Sequence, residues 1–93
     1  MSDTARAHLI IEGIVQGVFF RAFTRDIAVS LGLRGWVRNL PGGSVEAVLE
    51  GSKGDIQNAI TQYHKGPSAS NVSNINVAWE DYKGEFVSFV IRY

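Results

Sequence analysis

From Ala7 the chain alternates with a period of two: Leu9 and Ile11 fall on one face, and His8, Ile10 and Glu12 on the other. That spacing predicts a strand over residues 7–14. The period then lengthens. Phe20, Phe23, Ile27 and Leu31 recur at steps of three and four ahead of Gly32, which predicts a helix over roughly 19–31. Two β-prone runs, 35–39 and 44–49, flank Pro41-Gly42-Gly43 and read as a hairpin. Ser52 stands three residues before Asp55, as in a capping box, and Ile56, Ala59, Ile60 and Tyr63 repeat at helical spacing until Gly66-Pro67, so a second helix is expected there. Beyond a polar loop at 68–71, Ile75, Val77 and Trp79 alternate with polar or small residues as a half-buried strand would. A last strand is expected over 86–93.

Strand, helix, strand, strand, helix, strand, with a short C-terminal strand added, is the order of the ferredoxin-like split βαβ motif. The expected class is α+β. Right-handed crossovers place both helices on one face of a mainly antiparallel sheet and bury Phe23, Ile27, Ile56 and Ile60 against it. No repeat, linker or low-complexity tract interrupts the pattern, so residues 1–93 are expected to form a single domain. A chain of 93 residues that is 45% hydrophobic holds enough apolar material for one core and no more.

Charge and cysteine narrow the functional classes. Nine Lys or Arg balance nine Asp or Glu, which argues against a protein built to grip nucleic acid through many phosphate contacts. The balance is uneven, since residues 21–38 carry Arg21, Arg25, Arg34 and Arg38 against Asp26 alone. With no cysteine there is no disulfide framework, thiol nucleophile or thiolate metal site. No segment approaches the roughly 20 apolar residues that span a membrane, and residues 1–6 lack a secretion signal. A soluble, cytoplasmic, monomeric protein is expected.

The densest candidate chemistry lies in Gly13-Ile14-Val15-Gln16-Gly17-Val18-Phe19-Phe20-Arg21, a glycine-bearing loop running from a strand end into a helix N-terminus. The first N–H groups of a helix lack intrahelical partners and sit at the positive end of its dipole, so backbone amides there cradle anions. Arg21 adds a planar fork suited to two phosphate oxygens. The loop lacks the Lys-Ser or Lys-Thr of a P-loop, and its glycine spacing is not G-x-G-x-x-G. Taken alone it fits either phosphate binding or a tight turn followed by a solvated arginine. Asn39, alone, reads as a turn residue capping its own hairpin.

Read together, Val15-Gln16-Gly17-Val18-Phe19-Phe20-Arg21 and Gly35-Trp36-Val37-Arg38-Asn39, continued by Gly43, Val45 and Gly51, resemble the two signature motifs of the acylphosphatase family. The resemblance extends over nearly the whole chain, including the Gly66-Pro67 loop and the aromatic C-terminal strand. It implies hydrolysis of the carboxyl–phosphate bond of small acyl phosphates to a carboxylate and inorganic phosphate, without metal or organic cofactor. It also implies roles by position: Arg21 binds phosphate, the backbone amides of Val15, Gln16, Gly17, Val18, Phe19 and Phe20 cradle it, and Asn39 orients the attacking water.

The chemistry is consistent with those roles. A carboxylate leaves without being protonated, and the water can lose its proton to a phosphoryl oxygen, so no protein base is required. Position and complementary charge are what remain to be supplied. The amide of Asn39 offers one acceptor and two donors without adding negative charge beside an anion. His8 and His64 stand alone in separate elements and read as structural. Trp36, Trp79, Phe23 and Tyr63 read as packing residues, and Lys65, Lys83, Glu46 and Glu50 as solvated faces. Two other classes share the topology: an RNA-recognition module, which Lys83-Gly84-Glu85-Phe86-Val87-Ser88-Phe89 partly echoes away from the strand where that motif belongs, and a small-ligand-sensing module, which has no use for Arg21 and Asn39 together.

Overall fold

The computed structural model describes residues 3–93; Met1 and Ser2, where the expected domain begins, lie outside the described residues. Five strands and two helices follow one another as β1 (Thr4–Ile14), α1 (Phe20–Ser30), β2 (Arg34–Asn39), β3 (Val45–Ser52), α2 (Lys53–Lys65), β4 (Asn71–Glu80) and β5 (Phe89–Ile91). The strands form one sheet in the order β4-β1-β3-β2-β5. Every pairing is antiparallel except β2 with β5. The ferredoxin-like order expected from the periodicities is therefore present, with β5 added as a parallel edge beside β2.

The alternation in β1 does what its spacing predicts. Ala7, Leu9 and Ile11 are fully buried and meet Ile27 and Ala28 of α1 and Ile56, Ala59 and Tyr63 of α2 in one core. Each large aliphatic side chain buried this way is worth about 1.5–3 kcal/mol. Phe23 and Ile60 only border that core, while Phe20 and Thr24 are buried in their place. The two helices are tied directly where the Tyr63 hydroxyl donates to the Thr24 carbonyl at 3.0 Å.

Four expectations need correction. Ser52 occupies the N-cap of α2 but its side chain makes no capping hydrogen bond; among the first helical N–H groups, that of Lys53 is instead taken by the Asp3 carbonyl at 2.8 Å. The C-terminal strand is three residues long, because residues 81–88 run across the strands instead of along one. The Lys83 N–H meets Glu50 of β3 at 2.9 Å, and Arg6 of β1 stacks on Phe86 with its guanidinium carbon 5.1 Å from the ring centroid. Val77 and Trp79 are 37% and 41% exposed, since β4 is an edge with a neighbour on one side only. Finally, Glu50 is not a solvated residue: it is 3% exposed and ion-paired to Arg6 at 3.2 Å. Glu46 is largely covered as well, accepting from Arg38 Nε and meeting His8 Nε2, both at 2.6 Å.

Candidate active site

The β1–α1 loop begins where the β1–β4 ladder breaks at a register shift between Glu12 and Gly13. At Gly13, with φ 126°, a β-carbon would lie 2.1 Å from the Asn71 carbonyl oxygen, so only glycine lets the strands come this close. The chain then turns inward on Val15, which is 1% exposed, and enters α1 on Phe20, equally buried. Between these anchors Gly17 has φ 73° and Phe19 φ 62°. Phe19 is the one non-glycine among the described residues with positive φ, a conformation that costs about 1–3 kcal/mol and is held only where the surroundings dictate it. Its side chain is 85% exposed, so apolar burial does not account for that conformation.

Phe19 is also the N-cap of α1, with no side-chain cap and no acidic residue in the first turn that follows. No side-chain cap or first-turn carboxylate therefore meets the first helical N–H groups at the positive end of the dipole. Arg21 emerges from this same turn. Among the described residues it makes no ion pair; its guanidinium carbon lies 4.8 Å from the ring centroid of Tyr93.

Asn39 ends β2 opposite Val45. Its Oδ1 is buried without a hydrogen-bond partner, an uncommon state for a buried polar atom and one that calls for an explanation. Asn39 and Arg21, 18 positions apart in sequence, line one cavity of about 310 Å³. Val15, Gly17, Phe19 and Phe20 of the loop contribute to its wall, and Ala22, Ile91 and Tyr93 complete it. Gln16 and Val18, both assigned to the loop from the sequence, are not in the wall: the Gln16 side chain turns to the hairpin and Val18 packs against the core.

Ile91 and Tyr93 were not legible as site residues from the sequence. They reach the cavity because β5 runs parallel to β2 with Ile91 opposite Val37, and the Arg92 N–H bonds the Val37 carbonyl at 2.8 Å, which carries the chain end alongside Asn39. Only the parallel pairing discloses this. The RNA-type reading gains nothing from the same region, because residues 83–88 form a connector and neither β1 nor β3 carries an aromatic residue.

A ferredoxin-like fold whose α1 N-terminus carries no side-chain cap, with Arg21 and Asn39 lining one cavity beside it, defines a small α+β domain. Comparison with known proteins makes this specific. A family model described as Acylphosphatase matches residues 7–91. An acylphosphatase of Pelotomaculum thermopropionicum is 47% identical over 89 residues, covering 96% of this chain and 97% of that protein; one of Aeropyrum pernix is 53% identical over 89 residues, covering 95% and 88%. The crystal structure of acylphosphatase from Bacillus subtilis superposes with a TM-score of 0.93 at 32% identity, covering 96% of this chain and 99% of that one. The chain belongs to the acylphosphatase family, and it is an enzyme of that family.

Proposed function

We propose that this chain hydrolyses small acyl phosphates by binding the phosphoryl group on the loop amides and Arg21 and by presenting water from Asn39. The observation that carries this reading is the convergence of Arg21 and the unpartnered Asn39 on a single cavity at the open N-terminus of α1. The phosphoryl oxygens take hydrogen bonds from the amides between Val15 and Phe20 and from the Arg21 fork, and the acyl group points outward past Phe19 and Tyr93. The Asn39 carboxamide, which lines the cavity, offers one acceptor and two donors to hold the water.

The water oxygen bonds to phosphorus as the phosphorus–oxygen bond to the acyl group breaks, and that electron pair leaves on the carboxylate. One water proton passes to a phosphoryl oxygen, so substrate and water become carboxylate and dihydrogen phosphate in balance. The transition state is loose and spreads charge over the phosphoryl oxygens. Fixed amide dipoles and a guanidinium in a cavity partly shielded from solvent meet that charge without reorganising. The cation that a metal ion often supplies in phosphoryl transfer is supplied here by Arg21, and every group invoked comes from one chain, so the reading has the protein act as a metal-independent monomer.

Hydrolysis of benzoyl phosphate in water enriched in ¹⁸O, with a chelator present, tests the proposal. The label is expected in inorganic phosphate. Label in benzoate would mean attack at the acyl carbon and would overturn the assignment of Asn39.

A further inference from the structure

Gln16 sits inside the loop but its side chain leaves the cavity and crosses to the β2–β3 hairpin. There Nε2 donates to the carbonyls of both Leu40 and Ser44, each at 2.8 Å. Two carbonyl acceptors at this distance demand the NH₂ end of the carboxamide, so its orientation follows from the contacts. Leu40 and Ser44 are the residues that close the hairpin: the Leu40 N–H bonds the Ser44 carbonyl at 2.9 Å, and the Gly43 N–H bonds the Leu40 carbonyl at 3.3 Å. Asn39 is the residue immediately before this closure.

The two sides of the clamp are unequal. The loop is anchored independently by Val15 and Phe20, each 1% exposed, and by Val18 against the core. Residues 40–44 are exposed or half-buried and contribute no buried side chain. Releasing the clamp therefore loosens the hairpin closure next to Asn39, whose backbone stays paired opposite Val45, and leaves the loop at 15–20 in place.

We propose that the Gln16 side chain is a positioning residue, which fixes Asn39 relative to the phosphate loop and so places the attacking water in line with the departing acyl group. The inference rests on the reading of Asn39 given above. A misplacement of about 1 Å in a reacting group can cost on the order of 10²-fold in rate. Two hydrogen bonds to a turn that buries no side chain are the contacts whose loss permits such a shift.

The test is a double-mutant cycle with benzoyl phosphate, pairing Gln16→Met, which keeps the length and removes the donors, with Asn39→Ala. In the wild-type background Gln16→Met is expected to lower kcat by about 10- to 100-fold, with inhibition by inorganic phosphate changed less than about twofold. In the Asn39→Ala background the same substitution is expected to change kcat by less than about twofold, because there is no longer a side chain to misplace. Independent, multiplying losses would overturn the positioning role, as would phosphate inhibition weakening in step with kcat. An Asn39→Ala enzyme of full activity would overturn the reading of Asn39 instead, so the two failures are distinct. Gln16→Glu, which turns a carboxylate toward two carbonyl oxygens, is expected to be at least as impaired as Gln16→Met. Should either variant lose its fold, the wild-type Gln16 side-chain amide resonances serve in its place: protection from exchange supports the clamp and exchange at the rate of a free amide contradicts it.

Discussion

Replacing Arg6 with methionine tests how the connector that delivers β5 to the active site is held. The Arg6 guanidinium bonds Glu50 at 3.2 Å and Glu80 at 3.0 Å, contacts Glu85, and stacks on Phe86. Its partners differ in kind. The Glu80 and Glu85 side chains are 42% and 49% exposed and return to water at little cost. The Glu50 side chain is 2% exposed and keeps only the Lys83 N–H when Arg6 is gone. Removing one partner of a buried ion pair costs about 3–5 kcal/mol; the remaining N–H and the packing of the methionine stem place the expected loss at the lower end, about 3 kcal/mol. At about 4–8 °C per kcal/mol for a domain of this size, Tm falls by roughly 12–24 °C. Thermal unfolding followed by far-ultraviolet circular dichroism measures it. The double variant Arg6→Met with Glu50→Leu replaces the pair by apolar neighbours and is expected to recover most of the loss. A drop below about 1 kcal/mol for Arg6→Met, or a double variant no better than the single, would refute the claim that Glu50 is a buried charge dependent on Arg6.

Three other outcomes follow from the geometry. Tyr63→Phe removes the hydroxyl that joins α2 to Thr24 of α1 and should cost about 1 kcal/mol in chemical denaturation, leaving turnover intact. For Glu46, burial pushes the carboxyl up, but hydrogen bonds from His8 and Arg38 outweigh it and hold the group below the usual carboxylate range. A depressed folded value contributes stability that is present above the ordinary pKa and lost as pH falls through the folded one, so Glu46→Gln should be the less stable protein in urea at pH 7 and equal to wild type in strong acid. Asn39→Asp places a negative charge beside a phosphoryl dianion and should reduce kcat/KM below that of Asn39→Ala, by steady-state assay, despite its closer shape.

Local spacing disclosed the elements and the two motifs, while several features of the site lay beyond it. The stripe of Phe20, Ile27 and their neighbours gave α1 its place within a residue at each end, and Arg21 and Asn39 were visible as candidates because each sits in a recognisable run. The burial of Glu50 is not encoded in local spacing, because its partners are Arg6, 44 positions away, and the Lys83 N–H of a connector that crosses the sheet. Ile91 and Tyr93 escaped notice because only the parallel pairing of β5 with β2 brings them to the cavity. The motif points to the backbone amide of Gln16, whereas the reach of its side chain to Leu40 and Ser44 depends on where the hairpin stands, which no periodicity along the chain encodes.

The division of labour between Arg21 and Asn39 is the centre of the account, and competitive inhibition by inorganic phosphate separates the two. In the proposed mechanism Arg21 touches the phosphoryl group in substrate and product alike, whereas Asn39 acts on the water. The inhibition constant of phosphate, measured against benzoyl phosphate in wild type, Arg21→Ala and Asn39→Ala, is predicted to rise about tenfold or more for Arg21→Ala. For Asn39→Ala it should stay within about threefold while kcat falls on the order of 10²-fold. Equal weakening in both variants, or unchanged phosphate binding without Arg21, would contradict it.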